Sequence, residues 1–274
     1  MPLSRSIKRQ HPAIRDDIGD LRTQRPLPNS HLSQIDPFLF LNHHGPQIYP
    51  PDNHGLPFGP HPHRGFETVT FIVEGSLTHR DTAGHVSAIN AGGVQWMTAG
   101  RGVEHSELSP EEFKRDGGPL EILQLWVNLP ARLKMTEPRY FGLQREDIPS
   151  RAENGVTIND ITAIVPPLTD VQMMTLALEE GSRIALDAPR DRNVFFYVVR
   201  GKLTIGEETA REFHLIEWND DGDAITIEAA RESLVIFGHA TPYREPVVSY
   251  GPFVMNTQEQ ILQAMRDYQA GLFS

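Results

Sequence analysis

Two histidines one residue apart in HPH (61–63), and a histidine and a glutamate at the same spacing in HSE (105–107), are the residues whose types and positions best suit chemistry. In an extended chain residues i and i+2 project from one face, so His61 and His63 point together, as do His105 and Glu107. Placed on two strands of one small barrel, the pairs bring three imidazoles and a carboxylate to one point. Such a donor set suits a divalent first-row metal ion and leaves coordination positions open for water, substrate or dioxygen. Buried without an ion, the four groups would carry a heavy desolvation cost, so coordination accounts for them better than packing does.

Other polar residues fit lesser roles. Glu67 falls on the face of His61 and His63 and is expected to be an outer acceptor that fixes an imidazole tautomer, rather than a fifth ligand. His43, His44 and His54 lie in a stretch rich in Gly, Pro and Asn and read as loop residues near a pocket mouth. His79, Asp81 and His85 in THRDTAGH read as the turn after a strand, where Asp is favoured for its local backbone hydrogen bonds. His239 has no paired neighbour and reads as structural. Phe66 and Trp96 suit either an apolar wall or the core. HExxH, GxSxG and Walker motifs are absent, and GRGVEH lacks the third glycine of a dinucleotide loop, which leaves it as a turn before a ligand strand.

The elements that must position these residues are mostly strands. TVTFIV (68–73), LEILQLWVNL (120–129), MMTLAL (173–178), NVFFYVVRG (193–201), AITIEA (224–229) and SLVIFG (233–238) are β-branched or aromatic and bounded by turn residues, a pattern of sandwiches and barrels. Helical periodicity is clear only in NTQEQILQAMRDYQAGLF. There Thr257 and Gln260 can form a capping box, Ile261, Met265 and Tyr268 share a stripe for docking, and Gly271 can end the helix. HPHRGFETVTFIVEGSLT (61–78) aligns without a gap on DAPRDRNVFFYVVRGKLT (187–204), which suggests a duplicated β-domain joined near 130–141. His61 then falls on Asp187 and His63 on Pro189, so the second copy lacks the ligands.

Composition sets outer limits. With 274 residues the chain can bury two medium cores, and its net charge of −11, with basic residues scattered, argues against direct nucleic-acid binding. The absence of cysteine excludes thiolate ligands and cysteine nucleophiles. No apolar run is long enough to span a membrane and the first residues lack a secretion signal, so a cytoplasmic location is expected.

HPHRGFETVTF, AGGVQWMTAGRGVEHSE (91–107), LQLWVNL (123–129) and REPVVSYGPFVMNT (244–257) resemble the pirin family, two-domain members of the cupin superfamily. The resemblance implies an all-β fold of two jelly-roll-like barrels in tandem, 1–133 and 134–274, the second ending in a short α-helix. It implies one metal ion, usually iron(II), held in the first barrel by His61, His63, His105 and Glu107, with Glu67 left outside the ligand set. Some pirins open the central ring of the flavonol quercetin with dioxygen and release carbon monoxide. For this chain that implies a flavonol-like substrate, with Glu107 as proton acceptor. Other pirins are regulators whose metal state controls binding to a protein partner, which is the alternative expectation.

Overall fold

The run FETVTFIVE forms the strand Phe66–Glu74, whose first seven residues are buried. Burial on both faces explains why it reads as a nearly continuous apolar stretch rather than an alternation. In the computed structural model, which describes residues 3–273, this strand lies between Val94–Thr98 and Gly118–Asn128 in a seven-stranded sheet. Arg139–Leu143 extends one side of the sheet, and Phe38–Tyr49 followed by Thr23–Leu27 extends the other. A four-stranded sheet runs in the order Phe58–His63, Val103–Leu108, Ser76–Asp81, Val86–Asn90. Ile72 and Ile122 of the first sheet share a buried cluster with Leu77 and Ile89 of the second, so the sheets close face to face as a flattened barrel.

A second unit is built on one sheet of nine strands, at whose centre Asn193–Ile205 pairs with Ala224–Ala240. Its core is apolar, with Phe196, Phe237, Leu176 and Ile225 all buried. The two expected strands 224–229 and 233–238 are one continuous strand. Its first part pairs with Arg183–Asp187 and its second with Gln172–Leu178, while register shifts against Asn193–Ile205 absorb the polar residues between.

Each unit gathers non-consecutive segments. The strands that carry His61, His63 and His105 lie in the unit made of 38–147, 15–25 and the chain from Tyr243 onward; the other unit joins 148–242 to 26–37 and the segment up to Ile14. A linear cut at 133/134 is therefore crossed at both ends of the chain. Ile7–Pro12 pairs with His214–Trp218, and the helix Gln258–Gln269 packs Ile261 and Ala264 against Phe253, Met255 and Phe273. The helix starts at the expected capping box, Thr257 with Gln260. Among the described residues, no helix is long and apolar enough to cross a membrane.

Candidate metal centre

His61 and His105 lie directly opposite each other in the pairing of Phe58–His63 with Val103–Leu108, and opposite residues share a face. His63 is opposite Val103, one further alternation along the strand, so all three rings enter the same end of the barrel. Their ligand-capable nitrogens lie within 4.8 Å of one another, the one such group of His, Asp or Glu among the described residues. His61 Nδ1 donates to the Gly59 carbonyl at 2.8 Å and His63 Nδ1 to the Pro252 carbonyl at 3.3 Å. Each donation leaves Nε2 as the lone-pair atom. His61 Nε2 and His105 Nε2 face each other at 3.0 Å, and His63 Nε2 is buried with no hydrogen-bond partner among the described residues.

Burial lowers the His63 imidazole to about 3, helped by His61, and burial with the neighbouring rings holds His105 well below its usual range. His63 and His105 are therefore neutral at ordinary pH, the form that binds a metal. Three imidazoles with Nε2 atoms converging on one point are a poor arrangement for packing and a good one for a divalent cation. The residues fit the implied ion.

Glu107 stands apart from the three rings. Its Oε1 accepts from the Thr70 hydroxyl at 3.3 Å and from the Gln95 amide, while its Oε2 accepts from the Gln124 amide at 2.6 Å. Two amides and a hydroxyl thus satisfy this buried carboxyl group. Burial raises its pKa.

Glu67 does not touch the rings. Phe66 packs against His63, with ring centroids 5.0 Å apart, so the alternation of the strand turns Glu67 to the opposite face. There its Oε1 accepts from the Thr98 hydroxyl at 2.6 Å and its Oε2 has no partner among the described residues. Trp96 is buried on that outer face too, so it belongs to the core and not to the walls of the cage. Burial lifts the Glu67 carboxyl from 4.5 to about 7. A raised acid binds more protons folded than unfolded, so stability falls as pH rises through the window from 4.5 to about 7 and stays lower above it. Glu67→Gln, which mimics the neutral acid, is expected to remove that loss, a gain on the order of 3 kcal/mol at pH 8 and near zero at pH 4. Urea unfolding of both proteins at the two pH values checks this.

His43 and His44 are not loop residues but lie buried in Phe38–Tyr49. A strand covered on both faces shows no alternation, and FLFLNHHGPQIY hides its strand character behind Gly, Pro and Asn. His43 Nε2 meets Glu121 Oε1 at 2.8 Å and His44 Nδ1 meets the Thr23 hydroxyl at 2.9 Å. His54 lies exposed in the following loop. In the second unit, His239 Nδ1 accepts from Arg192 Nε at 2.6 Å, a structural role, and Asp187 is exposed.

The expected turn 79–85 begins only after Asp81. His79 sits within Ser76–Asp81, fully buried, and the alternation Leu77, His79 was the signal for it. Its Nε2 donates to Asp81 Oδ2 at 3.0 Å, and its ring stacks on Tyr140 at 4.1 Å and lies 5.4 Å from the ring of His105. Trp126, 5.4 Å from the ring of His63, completes the apolar side of the site with Phe66.

Comparison with known proteins decides the family. The profile described as Pirin matches residues 20–127, and the profile described as Pirin C-terminal cupin domain matches residues 173–274. The chain belongs to the pirin family. A Pseudomonas aeruginosa protein provisionally named a quercetin 2,3-dioxygenase is 38% identical over 87% of each chain. Rat pirin is 36% identical over 90% of this chain and 86% of its own. A crystal structure of quercetin 2,3-dioxygenase from Acinetobacter baumannii superposes with a TM-score of 0.92, at 30% identity and 99% coverage of both chains. As a pirin, the chain is a tandem of two cupin domains with one short C-terminal helix.

Proposed function

We propose that this pirin is a metal-dependent dioxygenase acting on a flavonol, opening its central ring with dioxygen and releasing carbon monoxide. The observation that carries the reading is the convergence of His61, His63 and His105 at one end of the barrel. The named activities of its P. aeruginosa and A. baumannii relatives support it. His61, His63 and His105 would hold the ion through Nε2, with Glu107 as the fourth donor once a cation competes with its amide partners. Iron(II) is the proposed ion. A bound divalent ion supplies Lewis acidity toward an acidic substrate hydroxyl and a redox-active centre for dioxygen chemistry.

The chain's own residues do the rest. Among the described residues Gln124 is the one donor hydrogen-bonded to Glu107 Oε2, so a lone pair remains there to take the proton of the substrate hydroxyl. Its burial-raised pKa makes it a stronger base than an exposed carboxylate. Gln95 and Thr70 fix the carboxyl from the other oxygen. Half-buried Trp126, backed by the fully buried Phe66, offers flat apolar surface beside His63 for an aromatic ring, and the pair keeps water from that side.

The test is direct. Protein loaded with iron(II) without oxygen, then given quercetin and air, is expected to bleach the flavonol absorbance with one dioxygen consumed per flavonol, and metal-stripped protein is expected to do nothing. No bleaching with iron, manganese, cobalt, nickel or copper would overturn the reading. It would favour a regulator instead, to be sought by comparing proteins captured by the ferrous and ferric forms.

A further inference from the structure

The strap that follows the second unit, Pro252 to Phe273, grips both ligand strands from outside the barrel. At the first strand, the Pro252 carbonyl accepts from His63 Nδ1 and from the Arg64 backbone N–H, each at 3.3 Å. The Val254 N–H donates to the Arg64 carbonyl at 3.0 Å. Gly65 permits this approach, since a Cβ there would meet the Val254 carbonyl oxygen at 2.0 Å. Lys134, 1% exposed, donates to the carbonyls of Gly65 at 2.8 Å and Val254 at 2.9 Å and to Asn128 Oδ1 at 2.7 Å. Those three bonds use every N–H of its ammonium group and tie the strap to the turn after His63.

The helix end of the strap reaches the same turn and the second ligand strand. Arg64 donates from Nη1 to Asp267 Oδ2 at 2.6 Å, and its guanidinium lies 4.6 Å from the centre of the Phe273 ring. Phe273 fills the space left by Gly102, just before the strand that carries His105. Tyr268 donates its hydroxyl to Glu104 Oε2 at 2.8 Å, on the residue before His105.

We infer that the strap is a positioning element of the metal centre, whose docking presents His63 Nε2 and is in turn held by the bound ion. The physical reason is the Pro252 carbonyl. A histidine that ligates through one nitrogen is oriented by the acceptor of its other N–H, and disturbing such acceptors costs roughly 10–100-fold in metal affinity. Because affinity and docking share one coupling free energy, the ion must stabilise the docked strap by the factor that the strap adds to affinity. The inference rests on the three-histidine cage and not on any particular reaction there.

Asp267→Ala releases the helix from Arg64 at a partly exposed position, and Lys134→Met releases the buried tie. Binding of manganese(II) or nickel(II), measured by competition with a chromophoric chelator, is expected to weaken about tenfold in each variant. Asp267→Glu is expected to restore it. In the unaltered protein, amide hydrogen exchange of residues 253–270 is expected to slow when the ion binds. Should Lys134→Met fail to fold, Asp267→Ala and the exchange measurement decide. Unchanged affinity in Asp267→Ala, or exchange of the strap indifferent to the ion, would overturn the role of the strap while leaving the cage intact. If the unaltered protein binds neither ion, the cage is refuted and the inference falls with it.

Discussion

His63→Ala is expected to abolish stoichiometric metal binding, with an affinity loss above about 100-fold, beyond the cost of disturbing an outer partner. His63 is the ring whose Nε2 is buried with no partner and whose Nδ1 is committed to the Pro252 carbonyl, so no neighbour can replace it as a donor. The effect should separate cleanly from folding. An ion that binds only the folded state raises stability by about 2.7 kcal/mol when present at a hundred times its dissociation constant. The unaltered protein is therefore expected to melt at a higher temperature with manganese(II) or nickel(II) than without, whereas His63→Ala melts at one temperature in both. A variant that kept the metal-dependent rise would remove His63 from the ligand set.

Gly65→Ala is expected to be the most damaging single methyl group in the first barrel. Gly65 has φ +89° and its added Cβ would meet the Val254 carbonyl oxygen at 2.0 Å and the Met255 sulfur at 2.8 Å. Backbone cannot yield cheaply there, because the Val254 carbonyl is also an acceptor for Lys134. A loss of about 3 kcal/mol or more is expected from left-handed strain combined with overpacking. Gly84 provides the control, with φ +96° and nothing within 4 Å of its Cβ, so Gly84→Ala carries the conformational penalty alone, about 1 kcal/mol. Thermal unfolding of the two variants side by side checks this; equal midpoints would show that the strap does not press on Gly65.

The convergence of the three histidines was legible in the sequence because their positions are set locally. HPH and HSE each place two groups on one face by alternation, and their pairing across adjacent strands brought the three imidazoles together. The duplicated barrels were legible for a related reason, since TVTFIV and NVFFYVVRG carry strand propensity without help from the rest of the chain.

What stayed hidden depends on partners far along the chain or on residues with no motif. Gln95 and Gln124 hold Glu107, yet a glutamine in a strand carries no signal of its function. Glu67 was placed on the ligand face by counting through Arg64 and Gly65, but Gly65 at positive φ breaks the alternation between the two strands. His43 and His44 were masked because a strand buried on both faces has no period to detect. The tie from Pro252 to His63 spans 189 residues, and only the folded chain brings that carbonyl to the imidazole.

The central claim is that His61, His63 and His105 close on one divalent ion through Nε2. X-ray absorption at the edge of a bound iron, nickel or manganese ion tests it most directly, because imidazole rings give outer-shell scattering that carboxylates and water do not. The predicted spectrum needs three imidazoles on one ion per chain, falling to two or to no bound ion in His105→Ala. A spectrum fitted by oxygen donors alone, or unchanged by that substitution, would contradict it.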